Sequence, residues 1–204
     1  MSNNDKVIQI LNDTLQRASE KGITLETKRS LEFFNDYVNK NLLGINTLMK
    51  LKEHKIVQPV IPKRSDIKIS EMITFLYQPK HADTLQYYDR SPLIIPMAIE
   101  SDHIVGFNLH YLPPVLRVRL MTILFRAEKT SHIAYLKVLA QSDYFKACVK
   151  TYLYSHFRSK IYKFEKKHWE FAVFLPLAHF AKAPQNKVFA DTRKTVSNRK
   201  RKPK

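Results

Sequence analysis

The chain is poor in glycine, with 3 in 204 residues, and it holds one cysteine, Cys148. So few glycines leave little material for a glycine-rich phosphate loop or for a barrel with glycine-kinked corners. A single cysteine excludes a disulfide framework and any multi-cysteine zinc site. No apolar run reaches the roughly 18 residues that a membrane span needs, so no membrane partner is expected. The start, Met1-Ser2-Asn3-Asn4-Asp5, lacks the charged-then-apolar order of a secretory signal. The expectation is a protein made in a reducing compartment. Enzyme signatures are also missing: there is no Walker-type loop, nucleophile elbow, HExxH or CxxC, and the eight histidines do not pair at ligand spacing on one helix. No cofactor and no small-molecule substrate are expected.

Negative charge is scarce too. Asp and Glu number 18 against 35 Lys and Arg, a net of +17. The surplus is localised. Residues 1–112 hold 14 basic and 13 acidic residues, whereas residues 113–204 hold 21 and 5. The first part is an ordinary neutral protein, and the second carries nearly all of the field. Such a field favours a polyanionic partner, because Lys and Arg displace counterions from phosphates.

What is present is enough apolar material for a core: 44% of the chain is hydrophobic and 11% of the chain is aromatic. Apolar residues at helical spacing, such as Val7, Ile10, Leu11 and Leu15, then Leu31, Phe34, Val38 and Leu42, predict helices over residues 3–53, broken at Lys21-Gly22. We read residues 1–53 as a helical arm and 54–68, with Pro59 and Pro62, as a linker. Residues 69–183 form the core domain and 184–204 a basic tail. In the core domain, strands are expected at 69–77, 93–100 and 104–111, with a hairpin turn at Ser101-Asp102-His103. Pro96 demands an edge position or a bulge. Pro113-Pro114 opens a helix whose apolar face is Leu116, Leu120, Ile123 and Ala127. A second helix starts at Thr130 or Ser131. A third starts at Ser142-Asp143 and carries Phe145, Val149, Tyr152 and His156 on one side. Residues 158–164 return to the sheet, and a last helix begins near Glu165. The fold class is α+β: a small antiparallel, partly barrel-like sheet packed with helices of the C-terminal half, preceded by the helical arm.

The candidate DNA contacts follow from the charge. On the expected third helix, Lys146, Lys150 and Arg158 recur at helical steps, where like charges repel and a polyanion would relieve them. Lys160 adjoins them. The tail adds Arg193, Lys194, Arg199, Lys200, Arg201 and Lys202. Arg117, Arg119 and Arg126 supply further charge. Tyr144, Tyr152, Tyr154, Phe157, Tyr162 and Trp169 interleave and offer stacking surfaces, although Phe157 and Trp169 suit a core better. For nuclease chemistry, Glu165 in an E-x-K pattern needs a second carboxylate from Asp143, Glu100 or Asp102, and a solvated Glu at a helix start is the better reading. Cys148, with Lys146 and Lys150 nearby, reads as a core or semi-buried thiol. Asp89, in Tyr87-Tyr88-Asp89-Arg90-Ser91-Pro92, is expected to accept backbone hydrogen bonds in a turn. Asn108 and His110 are expected to be buried polar groups satisfied by that turn.

Three stretches together resemble a known family: FLYQPKHADTLQYYDRSPLIIPM at 75–97, GFNLHYLPPVLRVRLM at 106–121, and KACVKTYLYSHFRSKIYKF with HWEFAVFLPLAHFAKA at 146–183. Their order and spacing are similar to DNA end-protector or head-completion virion proteins of T-even-like tailed phages. The N-terminal helices lie outside the resemblance. It implies a virion protein, made in the host cytoplasm, that binds the end of the packaged genome and blocks exonucleases. It implies no catalytic residues. The neutral arm would then dock on other virion proteins while the basic half meets DNA. The alternative is a structural adaptor of the neck, portal or baseplate with little DNA contact.

Overall fold

The structure, a computed structural model, describes residues 13, 16–22, 32, 57–60, 67–127, 129–166, 169–172 and 177–199. Most of the expected N-terminal helices therefore lie outside the described residues. Residues 16–20 are helical and Lys21-Gly22 is a turn. Gly22 has φ 58°, the left-handed region that ends helices at glycine. Ala18 on this segment is buried and belongs to the main core cluster.

The core is a six-stranded antiparallel sheet with helices, an α+β architecture. Strands β1 (Val57–Val60), β2 (Met72–Thr74), β4 (Leu93–Ile99), β5 (His103–Asn108), β6 (Val149–Leu153) and β7 (Ile161–Phe164) lie in the order β1-β7-β2-β4-β5-β6. The short β3 (Tyr88–Asp89) pairs with β8 (Phe180–Ala181) in a separate two-stranded sheet. The large sheet is open, with β1 and β6 at its edges, so the expected barrel-like character stops short of closure. After β6 the chain turns back, and Phe157 forms an isolated bridge with Tyr77 beyond β2.

Both faces of the sheet are covered. Alternation places Ile73, Phe75 and Tyr77 on one face. There they meet Ile94, Ile104, Tyr152 and Ile161 from the other strands. Phe157 stacks on Phe75 with centroids 4.1 Å apart, and Tyr152 lies edge-on to Tyr77 at 5.0 Å. The opposite face, with Met72, Leu93, Ile95, Phe107, Tyr162 and Phe164, packs under helices α1 (Pro114–Arg126), α2 (Lys129–Ala140) and α5 (Gln185–Arg199). Each fully buried Ile or Phe contributes about 1.5–3 kcal/mol.

The hairpin β4–β5 forms as expected, around Glu100–His103. Pro96 is in a strand with neighbours on both sides, and the register shifts between Pro96 and Ala98, so the bulge accommodates it. Its partner is Gly106, where a Cβ would stand 2.6 Å from Ile94 Cδ1.

Several elements differ from the sequence expectation. Val57–Val60, in the expected linker, is a strand paired with β7, and Pro59 sits there on a sheet edge, where a missing N–H costs least. Of residues 69–77 only Met72–Thr74 is a strand, and Ser70 has φ 68°. Residues 109–111 form a 3-10 turn capped by Asn108. On α1 the buried residues include Val115, Val118, Met121 and Leu124, whereas Ile123 is exposed. The third helix is one turn, α3 (Asp143–Lys146), capped by Ser142. From Val149 the chain is strand β6, because Val149-Lys150-Thr151-Tyr152-Leu153 is β-branched and aromatic and completes the hydrogen-bonding edge of β5. In the expected last helix, α4 spans Trp169–Ala172. The expected loss of order after Ala183 does not occur before Arg199: α5 docks through buried Val188, Phe189 and Thr192.

Candidate nucleic-acid interface

The region around Asp89 is fixed by a buried polar cluster. Asp89 is 3% exposed, and its carboxylate is satisfied from four directions. Oδ1 accepts from the backbone N–H of Ser91 at 3.0 Å and of His179 at 3.5 Å. Oδ2 accepts from Asn108 Nδ2 at 3.0 Å and His110 Nδ1 at 2.8 Å. Asn108 also donates to the Tyr152 hydroxyl, and its Oδ1 accepts from the backbone N–H of His110. Burial holds the His110 pKa below its ordinary 6.5, outweighing the pull of Asp89. The imidazole is therefore neutral, with its proton on the nitrogen facing Asp89, and Nε2 has no partner. Arg117, 3% exposed, donates to the carbonyls of Leu112 at 2.8 Å and His110 at 3.2 Å. Burial lowers its pKa to about 10, which leaves it charged at neutral pH. The expected turn around Asp89 and the burial of Asn108 and His110 are both present.

Next to this cluster, hydrogen bonds join the segments of Leu76–Gln78, Arg90, His156–Ser159 and His179. Tyr77 N–H donates to Arg90 O, and Arg90 N–H to His179 O. Gln78 N–H donates to His156 O, and Arg158 N–H to Leu76 O. Leu76 N–H donates to Ser159 Oγ, and Arg158 Nε to Gln78 Oε1. Lys182 Nζ donates to the carbonyls of Ala82, Asp83 and Leu85, and Gln86 reaches Asp191 on α5. Exposed Arg158 and Lys182 thus contact the Leu76–Leu85 stretch, and exposed Arg90 meets it through its carbonyl. Among them Lys182 is spent on carbonyls, whereas Arg90, Arg158 and Lys160 are exposed at the surface.

The sequence-derived contacts divide. Arg158 and Lys160 are exposed and adjacent in the loop before β7. Lys146 is exposed at the end of α3. Lys150 is half-buried, its Nζ 4.4 Å above the Tyr111 ring, and burial lowers its pKa. These residues do not form a helical stripe, because the helix ends at Lys146. Arg193, Lys194 and Arg199 lie on α5; Lys200, Arg201 and Lys202 lie outside the described residues. Arg117 is structural, unlike the exposed Arg119 and Arg126. Tyr152, Tyr162 and Trp169 are core residues, and Tyr154 and Phe157 pack against the second cluster, which leaves these rings little face for bases. Cys148 is fully buried, and burial pushes its thiol up to about 12. Among the described residues no group of three His, Cys, Asp or Glu is placed to hold a metal ion, and no helix of the described residues is long and apolar enough to cross a membrane. Arg90 and Lys187 are also exposed, although the charge pattern alone did not single them out. Arg90 had a signal, its place beside Asp89 in a turn that backbone hydrogen bonds hold rigid.

Fold and surface together define a basic α+β protein with exposed cations and a buried, hydrogen-bonded polar cluster around Asp89. A family model described as Phage T4 terminal DNA protecting protein matches residues 1–198, and the chain belongs to that family. It is thus a bacteriophage protein of DNA end protection, with DNA as its partner. Comparison with curated proteins found no match, and comparison with solved structures found none.

Proposed function

We propose that this virion protein works without catalysis, binding the phosphates of the packaged genome end through its basic half and shielding or anchoring that end. The observation that carries the reading is the surplus of 21 basic over 5 acidic residues in 113–204. Arg158, Lys160, Lys146 and Lys187 stand exposed within that surplus. Lys150, held on Tyr111, contributes field more than contact. Arg193, Lys194 and Arg199, within the α5 sequence, and Lys200, Arg201 and Lys202, outside the described residues, add to that charge. In this reading the exposed N-terminal residues, such as Gln16, Arg17 and Glu20, face other virion proteins.

The test is duplex binding over a salt series, by the full chain and by a chain lacking residues 200–204. A cut at 187 would remove buried Val188 and Phe189 and unfold the site. Phosphate contact predicts a log–log slope of about −0.9 per phosphate neutralised, reduced but not abolished by the truncation. Absence of binding at physiological salt would sink the reading and leave the adaptor.

A further inference from the structure

Basic side chains alone do not tell a DNA end from duplex interior, because both present the same phosphates. An end has one surface that the interior lacks, the apolar face of its terminal base pair. A site selective for ends needs an exposed apolar group inside a cationic frame.

Leu76 is such a group. Its neighbours Phe75 and Tyr77 are buried on the aromatic face, whereas Leu76, between them, is 40% exposed. The row before it on its own face, Thr74 with Leu93 and Tyr162, is covered by the helices; one step further along the strands the sheet emerges. The register that pairs Thr74 with Tyr162 shifts before the Tyr77–Phe157 bridge, which sets Leu76 beside Arg158, with Lys160 two residues further along the same loop. The Arg158 N–H binds the Leu76 carbonyl at 2.8 Å, and the Arg158 side chain turns to Gln78 on the same face. Ser159 holds the Leu76 N–H. Both cations are exposed, and the backbone of Leu76 is held by Arg158 and Ser159.

We propose that Leu76 is the contact for the terminal base pair of a duplex, with Arg158 and Lys160 on the flanking phosphates. This rests on the phosphate-binding reading above and adds the feature that selects an end. Arg158 and Lys160 supply affinity for any duplex, and Leu76 supplies the preference.

The test compares binding of a blunt linear duplex with a covalently closed circle of the same sequence, at one salt concentration. It uses the full chain and the variants Leu76→Ser, Leu76→Trp and Val138→Ser. Val138 on α2 is the control, an apolar side chain 63% exposed. The unchanged chain is expected to prefer the linear form. Leu76→Ser is expected to cut that preference about tenfold, the effect of no longer burying the exposed part of a leucine, with circle binding unchanged. Leu76→Trp keeps or raises the preference, and Val138→Ser leaves it alone. A Leu76→Ser chain with full preference overturns the proposal and leaves phosphate binding standing. So does one that loses linear and circular binding alike while its thermal unfolding is unchanged. Binding of neither form by the unchanged chain overturns the phosphate reading and this proposal with it.

Discussion

Arg117 and Arg158 belong to the same basic half of the chain and do opposite work. Arg117, on α1, is buried and donates to the carbonyls of Leu112 and His110. Arg158 is exposed on a loop, tied by its backbone and touching Gln78. The same contrast separates Lys150, folded over Tyr111, from Lys160 at the surface. Net charge therefore overstates the exposed positive surface, because part of it is engaged inside the fold.

The comparison breaks most completely at Asp89. Asp89→Ala strips the acceptor from Asn108, His110 and two backbone N–H groups at once, and removes the nearest carboxylate from buried Arg117. A loss of about 3–5 kcal/mol is expected, read by denaturant unfolding, with DNA binding lost only because the loops are no longer held. Arg117→Met is next, at about 2–3 kcal/mol, since two buried carbonyls lose their donor. Arg158→Gln should do the reverse, leaving stability within about 0.5 kcal/mol and reducing the salt slope of DNA binding by about one.

A pH titration sharpens the buried side of the comparison. His110 is neutral in the fold and its pKa lies below 6.5, so just below that pH the unfolded chain binds more protons than the folded one. Stability is then full above about pH 6.5 and falls as pH drops from there toward the folded pKa. The melting temperature should follow that course, and His110→Gln should flatten it. The smallest effect is chemical. Cys148, buried and pushed up to about 12, should resist alkylation in the native state and react at once on unfolding, despite basic residues close in sequence.

How much of this was legible in the sequence depended on whether one pattern fitted a segment or two. The hairpin from Leu93 to Asn108 shows strand alternation and a polar turn, and it forms. Asp89 sits in a Pro- and Ser-bearing turn, which gives its carboxylate backbone donors. Phe145, Val149 and Tyr152 satisfy helical spacing equally well, and there the pairing with β5, a contact distant in sequence, decides for a strand. On α5 three buried side chains, Val188, Phe189 and Thr192, are hidden among Lys and Arg, so the segment reads as tail. The candidate site shared that limit. Arg158 and Lys160 were visible as charge, but the burial of Arg117 and the approach of Arg90 through Tyr77 and His179 depend on tertiary contacts.

The central claim is that exposed cations on a rigid frame shield a DNA end, and exonuclease digestion of a blunt linear duplex tests it most directly. With the unchanged chain bound, the duplex should stay intact at moderate salt. With Arg158→Gln/Lys160→Gln, folded to the same melting temperature, protection should fail at a distinctly lower salt concentration. Protection by the double variant equal to that of the unchanged chain at every salt concentration would contradict the account.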